Sequence, residues 1–197
     1  MNFVIMLILC YFIGAIPSGV WIGKLLKNID VRDYGSRNSG ATNCYRILGA
    51  KIGVAVLIAD ALKGFIPLLI ASKYIESQFQ ILVLAMVTIL AHTYSCFIKF
   101  KGGKGVATSL GVFLFLTPYV VLILSLIFVT VFLMFRYVSL ASVVAAGSLP
   151  ILVFIMDRSN NIYLFVLSLI IGLFVIYRHK SNIERLFKGT ETKFKFK

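Results

Sequence analysis

The sequence predicts an all-α integral membrane protein on three observations. Of its 197 residues, 60% are hydrophobic, against roughly 45–50% in a soluble domain, and mean hydropathy is +0.97. The charges are gathered between long runs almost free of them, as a bilayer core demands. The polar–apolar alternation of a membrane barrel strand is missing. That leaves helices, because a lipid-exposed backbone must satisfy its hydrogen bonds within its own segment.

Apolar runs fall at about 3–23, 52–72, 79–98, 106–135, 138–156 and 161–177, and about 20 residues cross a ~30 Å core. The first run begins at Phe3 with no basic residue before it, and Lys24 and Lys27 follow it. That order reads as a retained helix with its N-terminus outside, not as a cleaved signal. The second run carries Asp60 and Lys63, which share a helix face. They read as a pair that turns this helix toward the bundle interior, with a direct substrate role as the alternative.

The run 106–135 is too long for one upright span, about 45 Å at 1.5 Å per residue, and Thr117-Pro118 sits at its middle. Proline breaks or kinks a helix, so two short spans are expected, 106–117 and 118–135. Charge decides the matter. With the break there are seven spans; seventeen Lys and Arg fall on the inner side and only Lys73 and Arg158 on the outer, Lys63 lying within a span. With one span the same nineteen divide ten to nine. The first arrangement obeys the positive-inside rule. The expectation is one domain over 1–197, seven transmembrane helices, N-terminus outside and C-terminus cytoplasmic. Gly14, Gly19 and Gly23 in the first span, and Ala141, Ser142, Ala145, Ala146 and Gly147 in the sixth, mark close helix contacts. The residues Lys193 to Lys197 read as frayed or lying on headgroups.

The net charge of +13 follows from this topology and adds attraction for anionic lipids and anionic substrates. Nucleic acid is not expected as a partner, because the basic residues flank apolar spans and form no separate domain. Cys10, Cys44 and Cys96 make an odd set with no disulfide framework or metal spacing, so they read as inert thiols. No metal cluster is evident and no cofactor is expected.

The informative part is polar. Gly35-Ser36-Arg37-Asn38-Ser39-Gly40-Ala41-Thr42-Asn43-Cys44-Tyr45-Arg46, then Phe100-Lys101-Gly102-Gly103-Lys104-Gly105-Val106-Ala107-Thr108, then Arg136-Tyr137-Val138-Ser139-Leu140-Ala141-Ser142, interrupt the apolar runs. The tail opens with Arg178-His179-Lys180-Ser181-Asn182. The seven-span topology puts all four on one side. Gly, Ser, Thr, Asn, Lys and Arg are residues that hold phosphate, through backbone N–H groups and charge-assisted hydrogen bonds. The 24–51 segment reads as a long cytoplasmic loop, with Arg46 at the mouth of the second helix. Lys101 to Gly105 is not a nucleotide-binding P-loop, since Ile98 stands where the first Gly belongs and Gly105 follows the Lys. It remains a basic glycine turn before a helix, which suits an anion. The two histidines are His92, in the third span, and His179. A His179/Glu184 base pair is an imperfect match to the His-x4-Asp spacing common among glycerolipid acyltransferases, and a His179 satisfied by hydrogen bonding is the alternative.

These four segments together resemble the bacterial glycerol-3-phosphate acyltransferases that use acyl phosphate, the PlsY family, from Gly14 to about Gly189. The resemblance implies seven transmembrane helices in the bacterial inner membrane, with the active site on the cytoplasmic side. It implies transfer of an acyl group from acyl phosphate to the sn-1 hydroxyl of glycerol 3-phosphate. The products are lysophosphatidic acid and phosphate, in the first acylation of phospholipid synthesis. It implies Ser36, Arg46, Lys104, His179 and Asn182 as catalytic residues. Asn38, Gly40, Thr42, Asn43, Lys101, Gly102, Gly103, Thr108, Ser139 and Ser142 are implied to bind substrate. Arg37 departs from the family's usual Gly, and Ala91 and Ser95 from its Gly and Pro around His92. Arg37 narrows the loop's conformations, because positive φ comes at a cost with a Cβ.

An acyl phosphate is a mixed anhydride with an activated carbonyl and a good leaving group, so holding two anions together is the protein's main task. The base is either a substrate phosphate or His179. The bilayer and the enzyme that makes acyl phosphate are the other expected partners. The competing classes are an organophosphate transporter, which needs polar groups at the midplane on repeated broken helices, and a lipid-binding assembly protein.

Overall fold

The computed structural model describes residues 2–157 and 161–195, and its secondary structure is helical throughout. Arg158, counted above as outer, and the tail residues Phe196 and Lys197 lie outside the described residues. The chain divides after Phe115 into two compact units.

In the first unit the expected span 3–23 is two helices, α1 (Phe3–Ala15) and α2 (Ser18–Lys27), bent by 45°. Pro17 causes the break, since it has no N–H to continue the ladder. Carbonyls at the break take side-chain donors from other elements: Lys63 Nζ donates to the Ile16 oxygen at 2.6 Å, beside the Ser18 N–H at 3.1 Å, and Ser95 Oγ to the Ala15 oxygen at 2.5 Å. Ser95, a departure from the family pattern, therefore has a local purpose. The 24–51 segment is not all loop: α3 (Ala41–Leu48) lies within it. α4 (Ala50–Ala71) follows after Gly49, whose φ of 95° suits only glycine although a Cβ there would touch nothing. α5 (Gln78–Thr93) stops short of the expected 98, and residues 96–98 form a single 3-10 turn. α6 (Val106–Leu116) then ends at Thr117, as the Pro118 argument expects.

Small residues let these helices approach. A Cβ on Gly14 would lie 2.5 Å from the Thr88 oxygen of α5, and one on Gly111 of α6 would lie 1.8 Å from the Ala61 oxygen of α4. Gly19 and Gly23, by contrast, pack against the 31–44 segment, facing Ser39, Cys44 and Val31. An apolar cluster of Val20, Val31, Cys44, Val56 and Ile98 lies beneath that segment.

The second unit holds α7 (Pro118–Phe135), α8 (Val138–Met156), α9 (Ile162–Arg178) and α10 (Lys180–Phe187). α7 closes on Arg136 in the left-handed region, φ 61°. α9 starts on Asn161, whose side chain accepts from Tyr163 and Leu164, and α10 departs from it at 57°. The tail after α10 is packed over its described residues, not frayed. Phe194 N–H donates to the Arg136 oxygen at 2.7 Å, its ring meets Phe132 edge-on at 5.2 Å, and Lys193 Nζ sits over the Tyr137 ring.

Among the described residues four helical runs are each long and apolar enough to cross a membrane, or up to six with each of the bent pairs α1–α2 and α9–α10 taken as one span. α6, with 11 residues, reaches about 16 Å at 1.5 Å per residue. This is half a hydrocarbon core.

Gly111→Ala is expected to cost about 1–3 kcal/mol by overpacking α6 on α4. Gly147→Ala, whose Cβ would find its nearest neighbour at 4.0 Å, should leave the thermal midpoint in detergent unchanged. Equal midpoints for the two variants would contradict the close α4–α6 contact.

Candidate functional site

Asn43 organises the first polar segment. The residue is 1% exposed. Its Oδ1 accepts from the Ser36 N–H at 2.9 Å, and its Nδ2 reaches the carbonyls of Val31, Asn38 and Tyr34 at 2.8, 2.8 and 3.2 Å. Those contacts occupy its amide, so Asn43, read above as a substrate contact, holds the loop together. Asn38 likewise turns inward, its Oδ1 accepting from the Gly40 N–H. Gly40 therefore offers no backbone donor to an anion, and neither does the Ser36 N–H. The loop passes through the left-handed region at Gly35, φ 57°, and again at Arg37, φ 56°. A Cβ on Gly35 would strike Asn43 Oδ1 at 2.5 Å. Arg37 bears the conformational cost expected of it.

Three side chains of this segment remain open to solvent in different degrees. Ser36 is exposed, and Thr42 and Arg46 are half-buried. Arg46 lies in the last turn of α3 and not at the N-terminus of a span. A helix C-terminus carries partial negative charge, so the dipole favours the guanidinium and gives an anion nothing. Cys44 is the buried thiol of this helix; burial first, and Asp60 second, push it up to about 12, in keeping with an inert role.

The glycine turn is built differently from a phosphate loop. The Gly102 N–H donates to the Thr93 oxygen at 2.9 Å, so it is committed. Gly102 and Gly103 are absent from the positive-φ residues, where only Gly105 of this turn appears, at 84°. They are glycines for room: a Cβ on Gly102 would lie 2.1 Å from the His92 oxygen, and one on Gly103 2.2 Å from His92 Nε2. Just before them Lys99 and Phe100 both hold left-handed backbone, φ 55° and 58°. Lys101 is exposed and Lys104 half-buried, while Thr108 is fully buried with its carbonyl against Gly64 of α4. The two basic segments of this unit are tied together. Arg32, held by Asp30 at 2.6 Å, donates through Nη1 to the Ile98 oxygen at 3.2 Å. The Arg32 hydrogen bond holds the Asp30 carboxyl below the usual range.

In the second unit the expected ligands converge on a carboxylate that sequence reasoning missed. Glu191 Oε1 accepts from Ser139 Oγ and from Asn182 Nδ2, each at 2.7 Å, and Oε2 accepts from Arg185 Nε at 2.7 Å. Ser139 and Asn182, read as contacts to glycerol 3-phosphate, thus have a structural partner first. Ser142 donates to the Val138 oxygen of its own helix at 2.8 Å. An acid two residues after Gly189, in a tail otherwise rich in Lys and Arg, was the available signal for Glu191.

His179 is 3% exposed, and its Nδ1 lies 2.8 Å from the Val175 oxygen. A carbonyl only accepts, so a proton belongs on Nδ1. The partner expected at Glu184 is replaced by this carbonyl; Glu184 is exposed. Among the described residues no group of three or more His, Cys, Asp or Glu could hold a metal ion.

Comparison with known proteins agrees with this picture. The sequence pattern described as glycerol-3-phosphate acyltransferase matches residues 4–189. The glycerol-3-phosphate acyltransferase of Fusobacterium nucleatum is 65% identical over 196 residues, covering 100% of both chains. That of Syntrophotalea carbinolica is 47% identical over 195 residues, covering 98% of each. A crystal structure of PlsY (YgiH), an integral membrane glycerol 3-phosphate acyltransferase in its glycerol 3-phosphate form, superposes with a TM-score of 0.92 at 41% identity. The match covers 98% of this chain and 96% of that one. Its lysophosphatidic acid form gives 0.89, covering 98% and 95%.

Burial alone would raise the Glu191 carboxyl, but the bonds from Ser139, Asn182 and Arg185 outweigh it and hold the group below its ordinary value of 4.5. A carboxyl depressed on folding stabilises the protein above the unfolded value and loses that contribution as pH falls through the folded one. The unfolding midpoint should therefore fall as pH drops below about 4.5. Glu191→Gln should flatten that dependence and cost about 1–3 kcal/mol at neutral pH by orphaning a buried donor. An unaltered acid slope in the variant would contradict the assignment.

Proposed function

The chain belongs to the glycerol-3-phosphate acyltransferase family, that of PlsY, and on this premise we propose that it transfers an acyl group from acyl phosphate to the sn-1 hydroxyl of glycerol 3-phosphate. Lysophosphatidic acid and inorganic phosphate are the products. The observation that carries the reading is the Arg32 bond to the Ile98 carbonyl, which ties the segment leading to Ser36, Thr42 and Arg46 to the one leading to Lys101 and Lys104. Both substrates end in phosphate, and cationic side chains on a held scaffold suit two anions. The backbone N–H groups of Ser36, Gly40 and Gly102 are taken up within the fold, so side chains carry a large share of the recognition.

The chemistry then needs little from the protein beyond position. The primary hydroxyl of glycerol 3-phosphate attacks the acyl carbonyl, the carbon–oxygen bond of the anhydride breaks, and phosphate leaves with the bond electrons. Lys104, and Lys101 near it, neutralise phosphate charge. Donors from the same groups stabilise the oxyanion formed in transit. Two acceptors suit the hydroxyl proton, a substrate phosphate and Nε2 of His179. The shortage of other bases favours the phosphate. Asn43 acts as a scaffold for the segment that carries Ser36, Thr42 and Arg46. The topology that goes with this activity has seven spans, the N-terminus outside, and the polar segments facing the cytoplasm at the inner membrane of a bacterium. The acyl chain lies along apolar helix faces in the bilayer, and the enzyme that makes acyl phosphate is a natural docking partner.

Purified protein mixed with glycerol 3-phosphate and acyl phosphate should yield lysophosphatidic acid and phosphate in equal amounts, with acyl thioesters inactive as donors. Turnover with a thioester alone would overturn the donor assignment. Lys104→Ala should lower activity more than about tenfold, over ~1.4 kcal/mol, and near-normal rates would remove Lys104 from the site. His179→Ala should keep measurable turnover if a substrate phosphate is the base; total loss with normal glycerol 3-phosphate binding would make His179 the base.

A further inference from the structure

Three buried titratable side chains of the first unit take no part in the chemistry above. Lys63 Nζ lies 2.7 Å from Asp60 Oδ1, and His92 Nδ1 lies 3.9 Å from that same oxygen. The three side chains are 5%, 2% and 7% exposed. Ion pairs inside a membrane protein are costly and mark places where something must be held. Lys63 holds one thing already, the Ile16 carbonyl at the break between α1 and α2. That contact needs the ammonium and its counter-ion only. It leaves unexplained why an imidazole stands behind the pair.

The other end of that imidazole supplies the reason. Nε2 of His92 occupies the place where a side chain on Gly103 would begin, and the His92 carbonyl does the same for Gly102. The Gly102 N–H closes the contact on the neighbouring Thr93 oxygen. The glycine turn is thus moulded against His92 and the last turn of α5. It needs such a mould, because the chain reaches it through two successive left-handed residues, Lys99 and Phe100, a conformation that a Cβ disfavours and that persists only when the surroundings over-determine it. A carboxylate beside one imidazole nitrogen orients the ring and decides which nitrogen faces forward. At 3.9 Å this influence is electrostatic and is not a hydrogen bond.

We propose that His92, oriented by the buried Asp60–Lys63 pair, is a positioning residue that sets the Lys101–Gly105 turn and through it the placement of Lys104. The inference rests on the reading of Lys104 as a phosphate contact. It joins the break in the first span to the substrate cradle through one line of groups, from Ile16 through Lys63, Asp60 and His92 to Gly103.

The test is a double-mutant cycle on the full chain in detergent, measuring kcat, KM for each substrate and the thermal midpoint. His92→Ala should raise the KM of the same substrate that Lys104→Ala affects, by about fivefold or more. In the Lys104→Ala background it should add less than about twofold. His92→Gln, which can place a nitrogen near the same point, should recover most of the loss. Asp60→Asn/Lys63→Met, which leaves no unpaired charge, should show the same KM signature and serves if His92→Ala does not fold. Losses that multiply in the double variant, or a His92→Ala effect confined to the thermal midpoint, overturn the inference while leaving Lys104 in the site. A neutral Lys104→Ala overturns both.

Discussion

A backbone carbonyl that loses its helical partner inside a bilayer must find another donor, and the organisation of the first unit follows from that constraint. The chain breaks at Pro17, and the oxygens of Ala15 and Ile16 lie at that break. Ser95 and Lys63 answer them. A lysine at that depth calls for a counter-charge, which Asp60 provides at 2.7 Å, and the same carboxylate lies against His92. Side chains from α4 and from just beyond α5 thereby meet α1 at its broken end. The glycine turn that follows α5 inherits its position from them.

The polar residues of the loops divide into those that build and those that can bind. Asn43 spends its whole amide on the segment it belongs to. Glu191 gathers Ser139, Asn182 and Arg185 on one carboxylate. Such satisfied buried networks fix one conformation, since any member left unpaired would cost its full desolvation. What remains for substrate are side chains at the margins of these networks, the hydroxyls of Ser36 and Thr42 and the cations of Arg46, Lys101 and Lys104. An enzyme whose donor substrate is already activated can work this way, because placement outweighs bond-making chemistry in its task.

Glycine serves this chain mostly as an absence of bulk. Gly102 and Gly103 look like a conformational device, yet their value lies in the room they leave for His92. Gly111 and Gly64 do the same between α6 and α4. In lipid, where apolar surface gains little by leaving one apolar neighbour for another, close backbone approach is a principal source of helix association.

The sequence by itself determined the helical membrane class, the break at Thr117-Pro118, the bounds of the spans near 138–156 and 161–177, and the family, because apolar runs, prolines and linear motifs are properties of local order. It also marked Asp60 with Lys63 as a pair. It did not disclose that Pro17 divides the first span, that α3 lies in the 24–51 segment, or that the described part of the tail folds back on Arg136 and Phe132. Only the tertiary structure decided which Ser, Asn and Gly residues serve the fold. An amide or hydroxyl of one composition binds a carbonyl or a phosphate equally well, and the choice depends on which acceptor the folded chain brings within 3 Å. Asn43, Ser139 and Asn182 found theirs inside the protein. His92 acquired its place only when α4, α5 and the glycine turn came together, a juxtaposition that no spacing in the sequence encodes.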